Sequence, residues 1–176
     1  HVLAPDFPTG GIIMGTAGAR LALATGRGSV TIRAKVRFEA AQRDRTAIVV
    51  TEIPFQVNKS RLVEQIADLA RSRRVEGIVD LRDESDRDGV RVVVEVRRDV
   101  NSEVVLNQLY RYTPLQTNFG VNMLALDRGQ PGVRNLKELI AAFISFREEV
   151  ITRRTKFDLA KARDRAQVLI GLAIAV

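Results

Sequence analysis

Glu84, Asp86, Asp88, Gly89 and Glu95 stand at positions 1, 3, 5, 6 and 12 of a calcium-loop pattern, so these carboxylates could gather round a hard cation. That pattern requires a helix on each side, whereas Val90–Val96 alternates as a strand and turns Glu95 to its outer face; the segment reads as an acidic hairpin tip with no metal. Nucleophilic chemistry has few candidates. Tyr110 and Tyr112 are the only tyrosines, His1 is the only histidine and has no partner, and neither a Ser/His/Asp set nor a phosphate-binding glycine loop occurs. Cationic chemistry is better represented. Arg33, Lys35 and Arg37 alternate with apolar residues, which on an extended strand spaces their side chains about 6.6–6.8 Å apart on one surface, suited either to a phosphate backbone or to a solvated outer face. Arg20 and Arg27 lie just upstream, with Gly26 and Gly28 letting the backbone of Arg27 come close to a partner. Asn58 and Lys59 follow Pro54 at a helix N-terminus, where free N–H groups favour an anion or a side-chain cap.

The elements that must position these groups follow from periodicity. Thr31–Glu39 reads as one strand with Ile32, Ala34, Val36 and Phe38 inward, and Thr46–Ile53 as a second strand ended by Pro54. A helix capped by Asn58 or Ser60 runs to about Arg74 with Leu62, Ile66 and Leu69 on one side. Ile78–Arg82 and Val90–Arg97 form a hairpin turning at Asp88-Gly89. A short helix over Asn101–Tyr110 and a strand over Gln116–Ala125 complete the order ββαββαβ. That order implies an α+β fold, a small mostly antiparallel sheet with helices on one face. Pro131-Gly132 then breaks the chain, and Asn135 with Glu138 opens a long projecting helix. If continuous to Val176 it spans about 63 Å, with Leu136, Ile140, Phe143, Val150 and Phe157 facing the domain at its start and further chain beyond.

A net charge of +7 favours a polyanionic partner. Residues 1–39 and 135–176 each carry +3 and residues 40–134 only +1, so the positive field comes from the two ends. The absence of cysteine suits a reducing cytosol and rules out a disulfide framework. No secretory signal opens the sequence, and the apolar run Val168–Val176 is too short for a membrane span.

Taken in order, PDFPTGG (Pro5–Gly11), TGRG (Thr25–Gly28), the run Val49–Asp99, LQTNFGVNMLAL (Leu115–Leu126), GQP (Gly129–Pro131) and the helix from Asn135 resemble successive blocks of one family. That family is the A subunit of bacterial type IIA DNA topoisomerases, DNA gyrase above all, and the resemblance covers nearly all of the chain. It implies a connecting segment with a short helix (1–30), the α+β domain called the tower (31–132), and the truncated first arm of a long coiled coil (133–176). It implies a holoenzyme that cleaves both strands of a duplex, passes another through and reseals, an isomerase acting in DNA supercoiling. Within it this segment would support and bend the gate duplex. ATP and Mg2+ would be handled by the B subunit, and this segment would bind no cofactor. The implied partners are double-stranded DNA, the B subunit in an A2B2 assembly and a second copy of the A subunit, in the cytoplasm and without a membrane.

On this reading the DNA-binding residues are Arg20, Arg27, Arg33, Lys35, Arg37 and Lys59. Arg111-Tyr112-Thr113 is similar to the run around the family's cleaving tyrosine. The family places that motif in a winged-helix region ahead of the equivalent of PDFPTGG, so no catalytic residue is assigned and the chain alone should be inactive. Phe55 departs from a family position where Tyr is common. The alternatives are a topoisomerase IV A subunit with a decatenating role, or a non-enzymatic interaction and dimerisation module whose charge is incidental. Single-stranded RNA binding is disfavoured, because aromatics make up only 5%.

Overall fold

The computed structural model describes residues 2–41 and 44–175; His1 and the last residue of the expected long helix, Val176, lie outside them. In chain order the elements are β1 (Ile12–Met14), α1 (Ala17–Thr25), β2 (Arg27–Arg33), β3 (Lys35–Ala41), β4 (Arg45–Glu52), α2 (Lys59–Arg71), β5 (Ile78–Asp83) and β6 (Val92–Val96). There follow α3 (Ser102–Tyr112), β7 (Gln116–Asn122), β8 (Leu124–Asp127), β9 (Gln130–Val133) and α4 (Leu136–Ala175). The chain divides into two compact units, His1–Asn122 and Met123–Val176.

The α+β class holds, but the single expected sheet is three: β1-β2-β7, β3-β4-β6-β5 and β8-β9, all antiparallel. In the four-stranded sheet, Ile48 and Val50 of β4 lie across from Val94 and Val92 of β6 on one face. Leu62 and Ile66 of α2 and Val105 and Leu109 of α3 pack on that same face, so both helices cover one side as the element order implied. Each such aliphatic side chain removed from water contributes about 1.5–3 kcal/mol. The helices begin where side chains replace missing backbone partners. Asn58 accepts from the N–H of Arg61 (3.0 Å) and Asn101 from the N–H of Glu103 (2.8 Å).

The expected strand Thr31–Glu39 is broken. Its alternation stays in phase through Ile32, Ala34 and Val36, yet β2 ends at Arg33 in one sheet and β3 begins at Lys35 in another. Ala34, wholly buried, joins neither; its N–H donates to the carbonyl of Leu115 at 2.7 Å. A change of strand partner leaves inward and outward positions unchanged, so periodicity does not register it. Phe38, expected inside, is 46% exposed in the middle of β3, an edge strand of its sheet.

Gln116–Ala125 is likewise two strands, β7 and β8, parted at Met123. Pro131-Gly132 does not break the chain: both residues lie in β9, with Pro131 opposite Leu126. A two-stranded ribbon has only edges, where a proline's missing donor faces outward. Its turn is Arg128-Gly129, both at positive φ (50° and 82°), the geometry of a two-residue hairpin.

The start of α4 follows the sequence reading. Asn135 accepts from the N–H of Glu138 (2.9 Å), and the Glu138 carboxylate accepts from the N–H of Asn135 (3.0 Å). The helix runs 40 residues, about 60 Å, straight through Gly171. Of the side chains expected to share one packed side, Leu136 and Val150 are half-buried and Ile140, Phe143 and Phe157 are exposed.

Ile48 lies at the centre of the first unit's core. Replacing it with Ala should cost about 2–5 kcal/mol in urea unfolding, and a loss below about 1 kcal/mol would show that β4 is not where the core is anchored.

Candidate nucleic-acid interface

The three-stranded sheet has two unlike faces, set by the register of β1, β2 and β7. Inward are Ile13, Val30, Ile32, Phe119 and Val121, packed with Ala19 of α1. Phe7, Phe55 and Phe119 close this core with ring centres 5.1–5.9 Å apart, so Phe55 acts as a packing ring and its lack of a hydroxyl leaves no gap. Gly28 lies beneath α1: a Cβ there would sit 2.9 Å from the Cβ of Ala22, and Gly26 ends the helix at φ 79°. The close approach that these glycines permit is therefore to the chain's own helix, where the sequence suggested an outside partner.

Outward are Arg27, Ser29, Thr31 and Arg33 of β2, paired in order with Asn122, Gly120, Asn118 and Gln116 of β7, and beside them Ile12 and Met14 of β1. Thr31 Oγ1 donates to Asn118 Oδ1 (2.7 Å), and Arg33 Nε donates to Gln116 Oε1 (2.8 Å). The guanidinium of Arg33 also lies 4.5 Å from the ring centre of Tyr110, which fixes its plane. Arg27, six residues along the same strand, is about 20 Å away. Burial raises the pKa of the Tyr110 hydroxyl, against the opposing pull of Arg33. This face carries two guanidiniums, a row of amides and hydroxyls, and two partly exposed aliphatic side chains; among the described residues neither Arg27 nor Arg33 has an acidic partner.

The remaining basic candidates are placed differently. Arg20 is exposed on α1. Lys35 and Arg37 do not continue the row of Arg33, because they belong to the other sheet. Lys35 Nζ lies 3.0 Å from Glu52, and Arg37 Nε lies 2.7 Å from Glu39. Lys59 Nζ lies 2.8 Å from Asp83, whose pKa it lowers, and Asn58 already caps the helix end.

Glu39 belongs to a chain of ion pairs across the outer face of the four-stranded sheet. Arg91 joins Glu39 to Glu84, Arg82 joins Glu84 to Glu95 and Asp80, and Arg45 lies 3.7 Å from Glu95. These arginines hold Glu39 and Glu84 below the usual carboxylate range. The ladder roofs the buried Ala47, Val49 and Val93 and borders a depression of about 590 Å³. The two glutamates of the calcium-loop pattern thus accept from arginines, and strands flank it. Tyr112 closes α3 with Arg74 and Arg111 over its ring, while Thr113 is buried and donates to the carbonyl of Leu109 at 2.7 Å.

The sequence reading passed over Gln116, Asn118 and Asn122 and the apolar pair Ile12 and Met14. Gln116, Asn118 and Asn122 fall on alternate positions of QTNFGVN, interrupted only by Gly120, a period-two face without apolar side chains that could have been found alongside the arginines. Nothing local marks β1, which is three residues long.

Glu52 ties the amino-terminal segment to this region. Its Oε2 accepts from the N–H of Gly11 (2.6 Å) and its Oε1 from Lys35 (3.0 Å). Gly10 adopts φ 71°, which strains any L side chain, and a Cβ there would lie 2.2 Å from Glu52 Oε2 and displace that carboxylate.

A sequence profile of the family formed by the A subunits of DNA gyrase and topoisomerase IV matches residues 1–176. The chain is 58% identical over 172 residues to the DNA gyrase A protein of Granulibacter bethesdensis, covering 98% of this chain and 18% of that protein. It is 59% identical over 175 residues to the DNA gyrase A protein of Rickettsia typhi, covering 99% and 19%. To the DNA gyrase A protein of Salmonella typhimurium it is 58% identical over 177 residues, covering 100% and 20%. The chain thus spans about a fifth of the length of the curated relatives it matches.

The bond from Gly11 first, then Lys35, lowers the pKa of Glu52 from an ordinary 4.5. A depressed carboxylate pKa contributes stability that is fully present above the ordinary value and lost as pH falls through the folded one. Glu52→Gln should therefore cost on the order of 1 kcal/mol at pH 7, and the gap to the parent should close as pH drops below 4.5. Urea midpoints across that range measure it; a gap that widens in acid would contradict the assignment.

Proposed function

The chain belongs to the family of DNA gyrase and topoisomerase IV A subunits, and from that membership we propose that it is the part of a gyrase A protein that supports the flanking duplex of the gate DNA. The observation that carries the proposal is the outward face of β1-β2-β7, where Arg27 and Arg33 stand among amides without acidic neighbours in the described residues. Guanidiniums and amides meet phosphates without demanding a base sequence, as a duplex in transit requires. On the opposite account Arg37, Lys35 and Lys59 would have to leave Glu39, Glu52 and Asp83 to meet phosphate, so they and Arg20 contribute second.

The holoenzyme to which the segment contributes would be the strand-passing isomerase, with a second copy of the A subunit, and with B subunits handling ATP and Mg2+ in the cytoplasm. The relatives' shared name favours the supercoiling enzyme over its decatenating counterpart. No residue here is assigned to strand cleavage. Tyr112 ends α3 beside Arg74 and Arg111, outside the motif context of the family's cleaving tyrosine, and the chain alone should neither cleave nor relax DNA.

Binding of the chain to mixed-sequence duplexes should be insensitive to sequence and fall with salt on a log–log line, with slope about −0.9 per phosphate neutralised. Arg27→Gln with Arg33→Gln should flatten that slope by about two. Lys35→Gln with Arg37→Gln should flatten it less, and substitution of Glu84 not at all. Equal slopes for the Arg27/Arg33 variant and the parent would refute the proposed face.

A further inference from the structure

Eight basic side chains of the first unit, among them Arg37, Lys59 and Arg82, lie within 3.7 Å of a carboxylate. Among the described residues, Arg20, Arg27, Arg33, Arg61, Arg73, Arg74, Arg87, Arg98 and Arg111 do not, and of these Arg74 and Arg111 alone share one aromatic ring, at the last turn of α3. Arg33 lies 4.5 Å from the ring centre of Tyr110, and Arg74 and Arg111 lie 4.7 and 5.7 Å from that of Tyr112. The latter two charges are thus no farther apart than about one Debye length at 0.1 M salt, about 10 Å, and among the described residues neither is ion-paired to a carboxylate.

The backbone bends to bring this about. Arg73 occupies the left-handed region at φ 56°, a helix-ending position that glycine fills at less strain. The N–H groups of Arg74 and Val75 both donate to the carbonyl of Leu69, and Val75 is buried, so the turn that directs Arg74 towards α3 is anchored in the core. A cation at each helix C-terminus would satisfy the two dipoles. That account does not explain why two guanidiniums share one half-exposed ring.

We propose that Tyr112, Arg74 and Arg111 form a phosphodiester-binding site at the end of α3, on the other side of that helix from Tyr110 and Arg33. A guanidinium laid on an aromatic ring keeps its plane fixed and its N–H edge outward, the orientation in which it grips two oxygens of one phosphate. Bound phosphate also removes the repulsion between Arg74 and Arg111. The inference rests on the duplex-supporting function above and adds a second anchorage to it, one made by aromatic-backed arginines in place of a strand.

The test is fluorescence anisotropy of the 176-residue chain with a mixed-sequence duplex over a range of KCl concentrations. Arg74→Gln with Arg111→Gln should lower the salt slope by about two, while Glu84→Gln, on the ion-paired face of the four-stranded sheet, should bind as the parent does. Tyr112→Leu, which keeps both charges but not their orientation, should bind several-fold more weakly with little change in slope. Should the double variant lose its folded circular dichroism, Arg111→Gln alone, with a slope change of about one, decides. A slope unchanged by Arg74→Gln and Arg111→Gln, with Arg27→Gln still lowering it, overturns this site and leaves the sheet face intact. No duplex binding by the parent chain overturns both.

Discussion

The hydrogen bond from the N–H of Ala34 to the carbonyl of Leu115 decides how the first unit is built. At that residue the chain leaves the sheet of β2 and enters the sheet of β3, with the Ala34 side chain wholly buried in the core. Everything before the crossing is aligned by β7, and everything after it by β4. Arg33 consequently remains on the face shared with Gln116 and Asn118, while Lys35, two residues on, is delivered to Glu52.

That division separates two electrostatic regimes. Across the outer face of the four-stranded sheet, arginines and carboxylates alternate closely enough to neutralise one another, above a floor of Ala47, Val49 and Val93. Such exposed pairs individually contribute little to stability. Their larger consequence is that this face offers a polyanion almost no uncompensated charge. The outer face of β1-β2-β7 has the opposite character, since its acceptors are neutral amides that orient Arg33 without cancelling it. The net positive charge of the chain is thus concentrated by structure as well as by composition.

The second unit is organised by its start. A reciprocal pair of hydrogen bonds between Asn135 and Glu138 begins α4, and the β8-β9 ribbon precedes it. Beyond the first turns the helix depends on its own backbone ladder and on pairs such as Glu149 with Arg153 one turn apart. Ile140, Ile144, Ile151, Phe157 and Leu159 remain exposed along it. A helix with apolar side chains on several sides usually has them covered by other chain, which agrees with the small share of the relatives' length represented here.

Much of this was legible in the residues themselves. The helices α2 and α3, their asparagine caps, the acidic hairpin and the capping box of α4 depend on neighbours within a few positions, and local periodicity is enough to read them. The α+β class follows from the order of those elements, and the distinctive runs from PDFPTGG to GQP carried the family. Partnership between strands is another matter. Thr31–Glu39 alternates without a fault, yet only the pairing with β7 on one side and β4 on the other cuts it at Ala34, because inward and outward positions are blind to which strand lies alongside. The same limit hid the fates of the charges. Arg33, Lys35 and Arg37 are equivalent in the sequence, and what distinguishes them is Gln116, Glu52 and Glu39, two of which are brought near only by folding. Composition therefore determined that the chain is basic; tertiary contacts, by supplying or withholding a carboxylate within about 4 Å, decided which of its cations remain available to a partner.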